Sequence, residues 1–533
     1  MAATRNRRRA IRVTLLVLSV TIVGVGSFTP VASGAPTELD SCTAITEPGR
    51  YVLGEDLTNA TPTEEAGISD LRACIVVRSS DVTFDGAGRT IDAPAGTADA
   101  AGVVVTNDER TLTNVTVRRL TVTDWTFGIG YINATDGAIR DTTATSNSLS
   151  GIEAANADRT DFANNTLRLN SVAGLVLAAD SEDAVLSDNT ASNNLVAGLA
   201  VSEAENTTLT DNLAETNGFA GIALVNASAS VLTNNTVTDT RANTHSPVGV
   251  GESAGLFLAN TTNSEIENTT ATTNKNGLFA IGAAGPALAN NSVTSNSDVG
   301  INVEASSDVT VTRNVVRSNG GGIGLDSSEN STIANNVVDA NSVDGISLFA
   351  ADDTLLSNNS AASNGAFGLL VEGSNDTVLS DNTARTNALA GIALVEANAS
   401  TLSDNAATAN RNEGLLLVDS PGAVLMENTA NRNADGLRID DTADTVALFN
   451  TVAENDGDGI RLNNSTDTAL ALNTVARNAN GGIAVADSNR LLLLLNILGG
   501  DGERAVEITD SESVLRLDSF DDLEALLGEV LDG

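Results

Sequence analysis

The stretch Asp381-Asn382-Thr383-Ala384-Arg385-Thr386-Asn387-Ala388-Leu389-Ala390-Gly391-Ile392-Ala393-Leu394 decides the fold. Its apolar residues alternate over very short runs, as in Gly391-Ile392-Ala393-Leu394 and, just beyond, Thr401-Leu402-Ser403. That period is two, not 3.6, so the runs are strands. Between them stand Gly, Asn, Asp and Ser, which tolerate the dihedrals of tight corners. The same passage returns along the chain, with a Gly-Ile/Leu-x-apolar motif at Gly128, Gly151, Gly174, Gly198, Gly221 and on to Gly482. Spacings are 22, 23 or 24 residues, apart from one of 34 between Gly221 and Gly255. An asparagine precedes most of these glycines by nine residues, as Asn382 precedes Gly391, and a second follows it by five, as Asn387 does.

A unit this short cannot bury its own apolar face, whereas stacked copies can. With about three short strands per repeat, the prediction is an all-β parallel β-helix of about 17 rungs. At strand spacing it forms a rod roughly 80 Å long. Inward Ile, Leu and Val pile into columns, and the recurrent asparagines stack as amide ladders. A leucine-rich repeat has a similar period but needs a denser Leu frame and a longer return segment. Here the return is Asn-Thr-x-x-x-x-Asn, poor in helix formers.

Around this core the expected divisions are an export signal over 1–35, an N-terminal cap with the first rungs over 36–100, β-helix repeats over 101–505 and a C-terminal cap over 506–533. The signal reads from the basic Asn6-Arg7-Arg8-Arg9, the apolar Val13–Phe28 and small residues near Ala35. No second apolar stretch is long enough to span a membrane. In an exported chain Cys42 and Cys74 are expected to pair and staple the N-terminal cap, the alternative being two free buried thiols. After Ser519, the residues Phe520, Leu523, Leu527 and Leu531 share one face of a short capping helix.

Charge narrows the partners. The formal net charge is −41, and removing the five bases of the export signal brings it near −46. Nucleic acid and anionic membrane surfaces are excluded as partners on that balance. The bases are 27 Arg and a single Lys, Lys275, a composition similar to secreted proteins of extreme halophiles. An ordinary acidic solubility bias is the other reading. Hydrophobic residues at 41% exclude a disordered polyanion, while aromatics at 3% suit a thin coil packed with small aliphatics.

The rung pattern Asp-Asn-Thr-x-x-x-Asn-x-x-x-Gly-Ile-x-Leu resembles the right-handed parallel β-helix repeats of the NosD-like family, part of a wider group of carbohydrate-binding proteins and sugar hydrolases. The opening is similar too, with Pro48-Gly49-Arg50-Tyr51-Val52-Leu53, Cys74-Ile75-Val76-Val77 and Asp81-Val82-Thr83-Phe84-Asp85-Gly86. The resemblance covers roughly residues 40–505. It implies a right-handed coil and carries an association with copper supply. Copper needs soft or imidazole ligands, and this chain has one His (His245), one Met after signal removal (Met426) and two cysteines expected to pair. Those residues speak against copper. The Gly-His-Gly motif of related hydrolases and the Tyr-Gly/Phe-Asp-Pro-His motif of related epimerases are both missing.

Candidate site residues come from aligning the rungs. Positions two after each rung glycine should point outward from one sheet and read Phe257, Phe279, Asn302, Gly324 and Ser347, later Arg438 and Arg461. Two positions on, Glu304 and Asp326 fall on adjacent rungs, about 5 Å apart. Exposed Phe257 and Phe279 beside Asn302 and this carboxylate pair resemble a sugar-binding strip, in which rings stack on pyranose faces and acids bond hydroxyls. His245 lies in the one enlarged repeat, expected to leave the rod as a lateral loop. With Glu304 and Asp326 it makes the candidate catalytic set. Calcium has possible oxygen ligands in Asn455-Asp456-Gly457-Asp458-Gly459 and Asp440-Asp441 but no complete loop motif, and no other cofactor is expected. The resulting reading is an exported, secreted or surface β-helix that interacts with a polysaccharide or serves structurally. The alternative is a polysaccharide lyase, hydrolase or epimerase.

Overall fold

The structure, a computed structural model, describes residues 35–67, 71–241, 252–501 and 504–532. The expected export signal, apart from Ala35, and His245 lie outside the described residues.

Each turn of the chain lays down one long strand and two short ones. One turn runs through Ala197–Ser202, Thr208–Thr210 and Leu213–Glu215. Strands of the repeats pair in parallel with their counterparts one turn later, Ala200 with Ala223, Leu209 with Leu232 and Ala214 with Val237, whereas Glu64–Glu65 near the N-terminal end pairs antiparallel with Arg72 and Ala73. The result is a parallel β-solenoid of about 18 turns. Alternation sends Leu199 and Val201 inward and leaves Ala200 outward. The inward columns form one continuous buried core from Leu39 to Leu493. Corners use left-handed backbone: Glu203, Asn206, Asp211 and Thr216 all have φ between 52° and 57°. Such φ values strain Glu and Thr more than Asn or Asp, and the stacked hydrogen bonds of neighbouring turns hold them there.

The recurrent asparagines form two ladders in which each side chain bonds the next. In one, Asn359 Nδ2 donates to Asn382 Oδ1 and Asn382 Nδ2 to Asn405 Oδ1, each at 3.0 Å. In the other, Asn364 passes to Asn387 at 3.1 Å and Asn387 to Asn410 at 3.0 Å. Each oxygen also accepts the backbone N–H of the preceding asparagine, so these buried amides are satisfied. The second ladder ends on a carboxylate, Asn478 Nδ2 donating to the buried Asp501 Oδ1 at 3.0 Å. The rung glycine has its own reason. A Cβ on Gly391 would lie 2.6 Å from Asn410 Nδ2 and 2.8 Å from Gly414 O, so ladder and glycine demand each other.

Both ladders break once, on the two sides of the insertion that enlarges the repeat. Thr240 stands where the second ladder needs an amide between Asn217 and Asn274, and Thr269 where the first needs one between Asn235 and Asn291. The Thr240 hydroxyl is buried and makes no hydrogen bond among the described residues.

At the N-terminal end, solenoid pairing begins at once, with Thr37–Leu39 beside Tyr51–Leu53 and Thr43–Ile45 beside Ile75–Val77. Cys42 and Cys74 form a disulfide there. At the other end, pairing continues through Glu512–Leu517, and a helix over Phe520–Asp532 follows. Ser519 Oγ accepts the Asp522 N–H while the Asp522 carboxylate accepts the Ser519 N–H, an N-terminal capping exchange.

Candidate functional site

The outward residues of the long strands make one continuous face. Along its central column the register runs Ala223, Phe257, Phe279, Asn302, Gly324 and Ser347. A parallel column runs Ile281, Glu304, Asp326 and Phe349. The carboxylates of Glu304 and Asp326 therefore do stand on adjacent turns, and Asn302 lies beside them. Asn302 Nδ2 donates to Glu304 Oε1 at 2.9 Å.

The two phenylalanines need correction. Phe257 and Phe279 occupy the outward column but are fully buried, not exposed. With Phe219 they form an apolar cluster separate from the main core, among Ala220, Ala223, Ala254 and Ala259. Phe257 meets Phe219 edge-on at 4.9 Å between centroids and Phe279 at 5.7 Å. The tilted and edge-on contacts join the three rings into one apolar patch. These two rings have no accessible face for a sugar.

The open part of the face lies just beyond them. A niche of about 450 Å³ is cut into the long face around Gly321 and Gly324. Its floor is the strand Gly321–Asp326, whose Ile323 and Leu325 point into the core. One wall is Val299, Asn302 and Glu304; the other is Asp344, Ser347 and Phe349, with Asp298 at the rim. Phe349 is 38% exposed, so an accessible ring does border the carboxylates.

Gly322 and its neighbours in the floor are glycines for different reasons. A Cβ on Gly322 would sit 2.0 Å from Gly345 O, so packing forbids one. A Cβ on Gly324 would meet nothing closer than Asn302 Oδ1 at 3.5 Å and Ser347 Oγ at 3.6 Å, both ordinary contacts. On Gly321 the nearest atom would be Val299 Cγ2 at 3.5 Å. Neither Gly321 nor Gly324 has a positive φ. Neither backbone strain nor crowding calls for glycine at these two positions; what their missing side chains create is the niche.

The niche is rich in acceptors. The backbone N–H groups of Gly321, Gly322 and Ile323 are already bonded to Asp298, Asp344 and Gly345 oxygens. Asp344 Oδ1 accepts the Phe367 N–H at 3.0 Å. Burial pushes the Asp344 carboxyl above the usual carboxylate range, nearby Glu372 adds to this, and the Phe367 N–H opposes it. Residues that the aligned rungs did not single out are Asp298, Gly321, Asp344 and Phe349. The signal for them was the triplet Gly320-Gly321-Gly322, which holds two glycines more than the repeat needs.

Comparison with known proteins defines the class first: residues 101–251 match the description "Right handed beta helix region". Residues 233–390 and 342–511 match the family described as "Periplasmic copper-binding protein (NosD)". The chain belongs to this NosD-like family of right-handed parallel β-helix proteins. No curated protein matches it. Among solved structures, a double mutant of the periplasmic alginate epimerase AlgG is similar at 11% identity over 68% of this chain and 87% of that one, with a TM-score of 0.36. The A-module of the Azotobacter vinelandii mannuronan C-5 epimerase AlgE6 covers 91% of each chain at 13% identity and a TM-score of 0.22. PfbA, a surface adhesin of Streptococcus pneumoniae, is similar at 10% identity over 67% of this chain and 84% of that one, with a TM-score of 0.30.

Copper, which the family description implies, does not fit these residues. Both cysteines are consumed by the disulfide, leaving His245, Met426 and Met1 as the only soft or imidazole donors in the sequence. Met426 is exposed on a short strand, Val424–Met426, off the long face. Of the calcium candidates, Asp440 is ion-paired with Arg438 at 2.7 Å. Among the described residues no group of three or more His, Cys, Asp or Glu is placed to hold a metal. No helix of the described residues is long and apolar enough to cross a membrane.

Proposed function

We propose that this protein is a glycan-binding rod working outside the cytosol, with the Gly321–Gly324 niche as a saccharide subsite. The observation that carries the reading is the niche floor, where glycine leaves space that the fold itself does not require. Its volume falls in the range of about 300–1,000 Å³ typical of small-molecule sites. Exposed Phe349 offers an apolar face for a pyranose ring, and Asn302, Ser347 and the carboxylates offer partners for hydroxyls. The disulfide supports a location in an oxidising compartment. A rod that reads a repeating polymer along a repeating face also accords with the stacked architecture.

The test compares the wild type with Gly324→Leu and Phe349→Ala on a panel of immobilised oligosaccharides. Both variants should lose affinity at least about tenfold, with thermal unfolding close to wild type for Gly324→Leu. Undiminished binding by Gly324→Leu would sink the niche as the subsite. A second reading, a polysaccharide lyase, hydrolase or epimerase, draws on the protonated tendency of Asp344 across the niche from Glu304 and Asp326. It predicts turnover of some panel member by the wild type and its loss in Asp344→Asn.

A further inference from the structure

We infer that the niche selects sugars without negative charge and takes a hexosamine in its ammonium form best. The inference rests on the glycan reading of the same niche and adds the charge class of the ligand.

Four carboxylates, Asp298, Glu304, Asp326 and Asp344, line the niche, and no Lys or Arg does. The basic side chains on adjoining turns are engaged elsewhere. Lys275 is held by Glu252. Arg317 pairs with Asp339 at 3.2 Å and Arg313 bonds Asn290 at 3.0 Å. Each niche carboxylate keeps at least one oxygen without a donor among the described residues. Glu304 has accepted only Asn302, Asp326 only Ser327 Oγ at 2.8 Å and Asp344 only the Phe367 N–H.

The donors are nearly exhausted by the fold. Floor N–H groups bond the neighbouring turns, and one Asn302 hydrogen is committed to Glu304. Ser347 Oγ–H and the second Asn302 hydrogen remain. A ligand here must bring donors, which hydroxyls and an ammonium group do. A uronate carboxylate brings only acceptors and a further negative charge. An ammonium at the niche centre would meet carboxylate oxygens from two adjacent turns, Glu304 and Asp326, which the register places side by side.

The experiment titrates the full chain with three oligomers of equal length, one of glucosamine, one of N-acetylglucosamine and one of glucuronate, at pH 6 by calorimetry. The expected order is glucosamine tightest and glucuronate at least about tenfold weaker than the neutral oligomer. Gly324→Leu leaves the net charge unchanged and should abolish the glucosamine preference. If that preference survives in Gly324→Leu, general attraction to an acidic surface explains it and the inference falls. Glucuronate binding as tightly as the neutral oligomer overturns the charge selection while leaving the glycan subsite standing. If none of the three binds, the glycan reading itself falls and takes the inference with it.

Discussion

On the same outward column, Phe279 and Gly324 are only two turns apart, yet they belong to opposite surroundings. Around Phe219, Phe257 and Phe279 the face is closed: the rings pack together among alanines and have no exposed surface. Around Gly324 it is open, with the walls of Asn302 and Ser347 standing over bare backbone. Inside the coil the contrast reverses. Next to the aromatic stretch both asparagine ladders are interrupted, at Thr240 and Thr269, whereas beneath the niche Asn314 and Asn319 carry them without a break. Alternation thus settles which way a side chain points, but what packs around it settles whether solvent reaches it.

That comparison can be broken most forcefully inside the niche floor. Gly322→Val drives a side chain into Gly345 O and Val338 Cγ1 and should cost more than about 3 kcal/mol of stability. Gly324→Leu, two residues away, should stay within about 0.5 kcal/mol; chemical denaturation of the pair measures the difference. Next in size, Phe257→Ala should cost roughly 3 kcal/mol by leaving a cavity while oligosaccharide affinity stays at the wild-type value. Lost affinity there would return the buried rings to the binding site.

A smaller effect sharpens the internal half of the comparison. Thr240→Asn restores an amide where a buried hydroxyl has no partner among the described residues, and should raise stability by roughly 1 kcal/mol in equilibrium unfolding. The smallest effect is electrostatic. Because burial raises the Asp344 carboxyl, the folded state binds its proton more tightly than the unfolded chain does. Stability from this group is present below the ordinary carboxylate range and is lost as pH rises through the raised value. Asp344→Asn should therefore be slightly more stable than wild type at pH 7, with the gap closing at pH 3.

Much of this architecture was legible in the residues themselves. The beat of Gly391, Asn382 and Asn387 contained the turn, its corners and both ladders, because a ladder requires the same residue at the same place in every turn. Cys42 and Cys74 were legible as a pair, and Glu304 and Asp326 as neighbours, since register follows from the period. Exposure was not. Whether Phe257 stands free depends on Ala220 and on the rings of Phe219 and Phe279 on either side, contacts that lie one turn away in space and 22 to 38 residues away in sequence. Asp344 and Phe349 escaped notice for a similar reason: neither breaks the repeat, and each matters only beside a floor that lacks side chains.

The ladder that ends at Asp501 has a direction. Every amide in it presents its NH2 toward the C-terminal end and its oxygen toward the N-terminal end, so the side-chain dipoles add head to tail instead of cancelling. Aligned amides of about 3.5 D each leave fractional positive charge at the last donor, much as a helix does at its first turn. Asp501 Oδ1 accepts both the backbone N–H and the Nδ2 of Asn478, at 2.9 and 3.0 Å, and so meets that positive pole with a carboxyl oxygen that takes both donors. The ladder is an electrically polar column that ends on an acceptor rather than on another donor, and Asp501→Ala would leave its last amide without a partner.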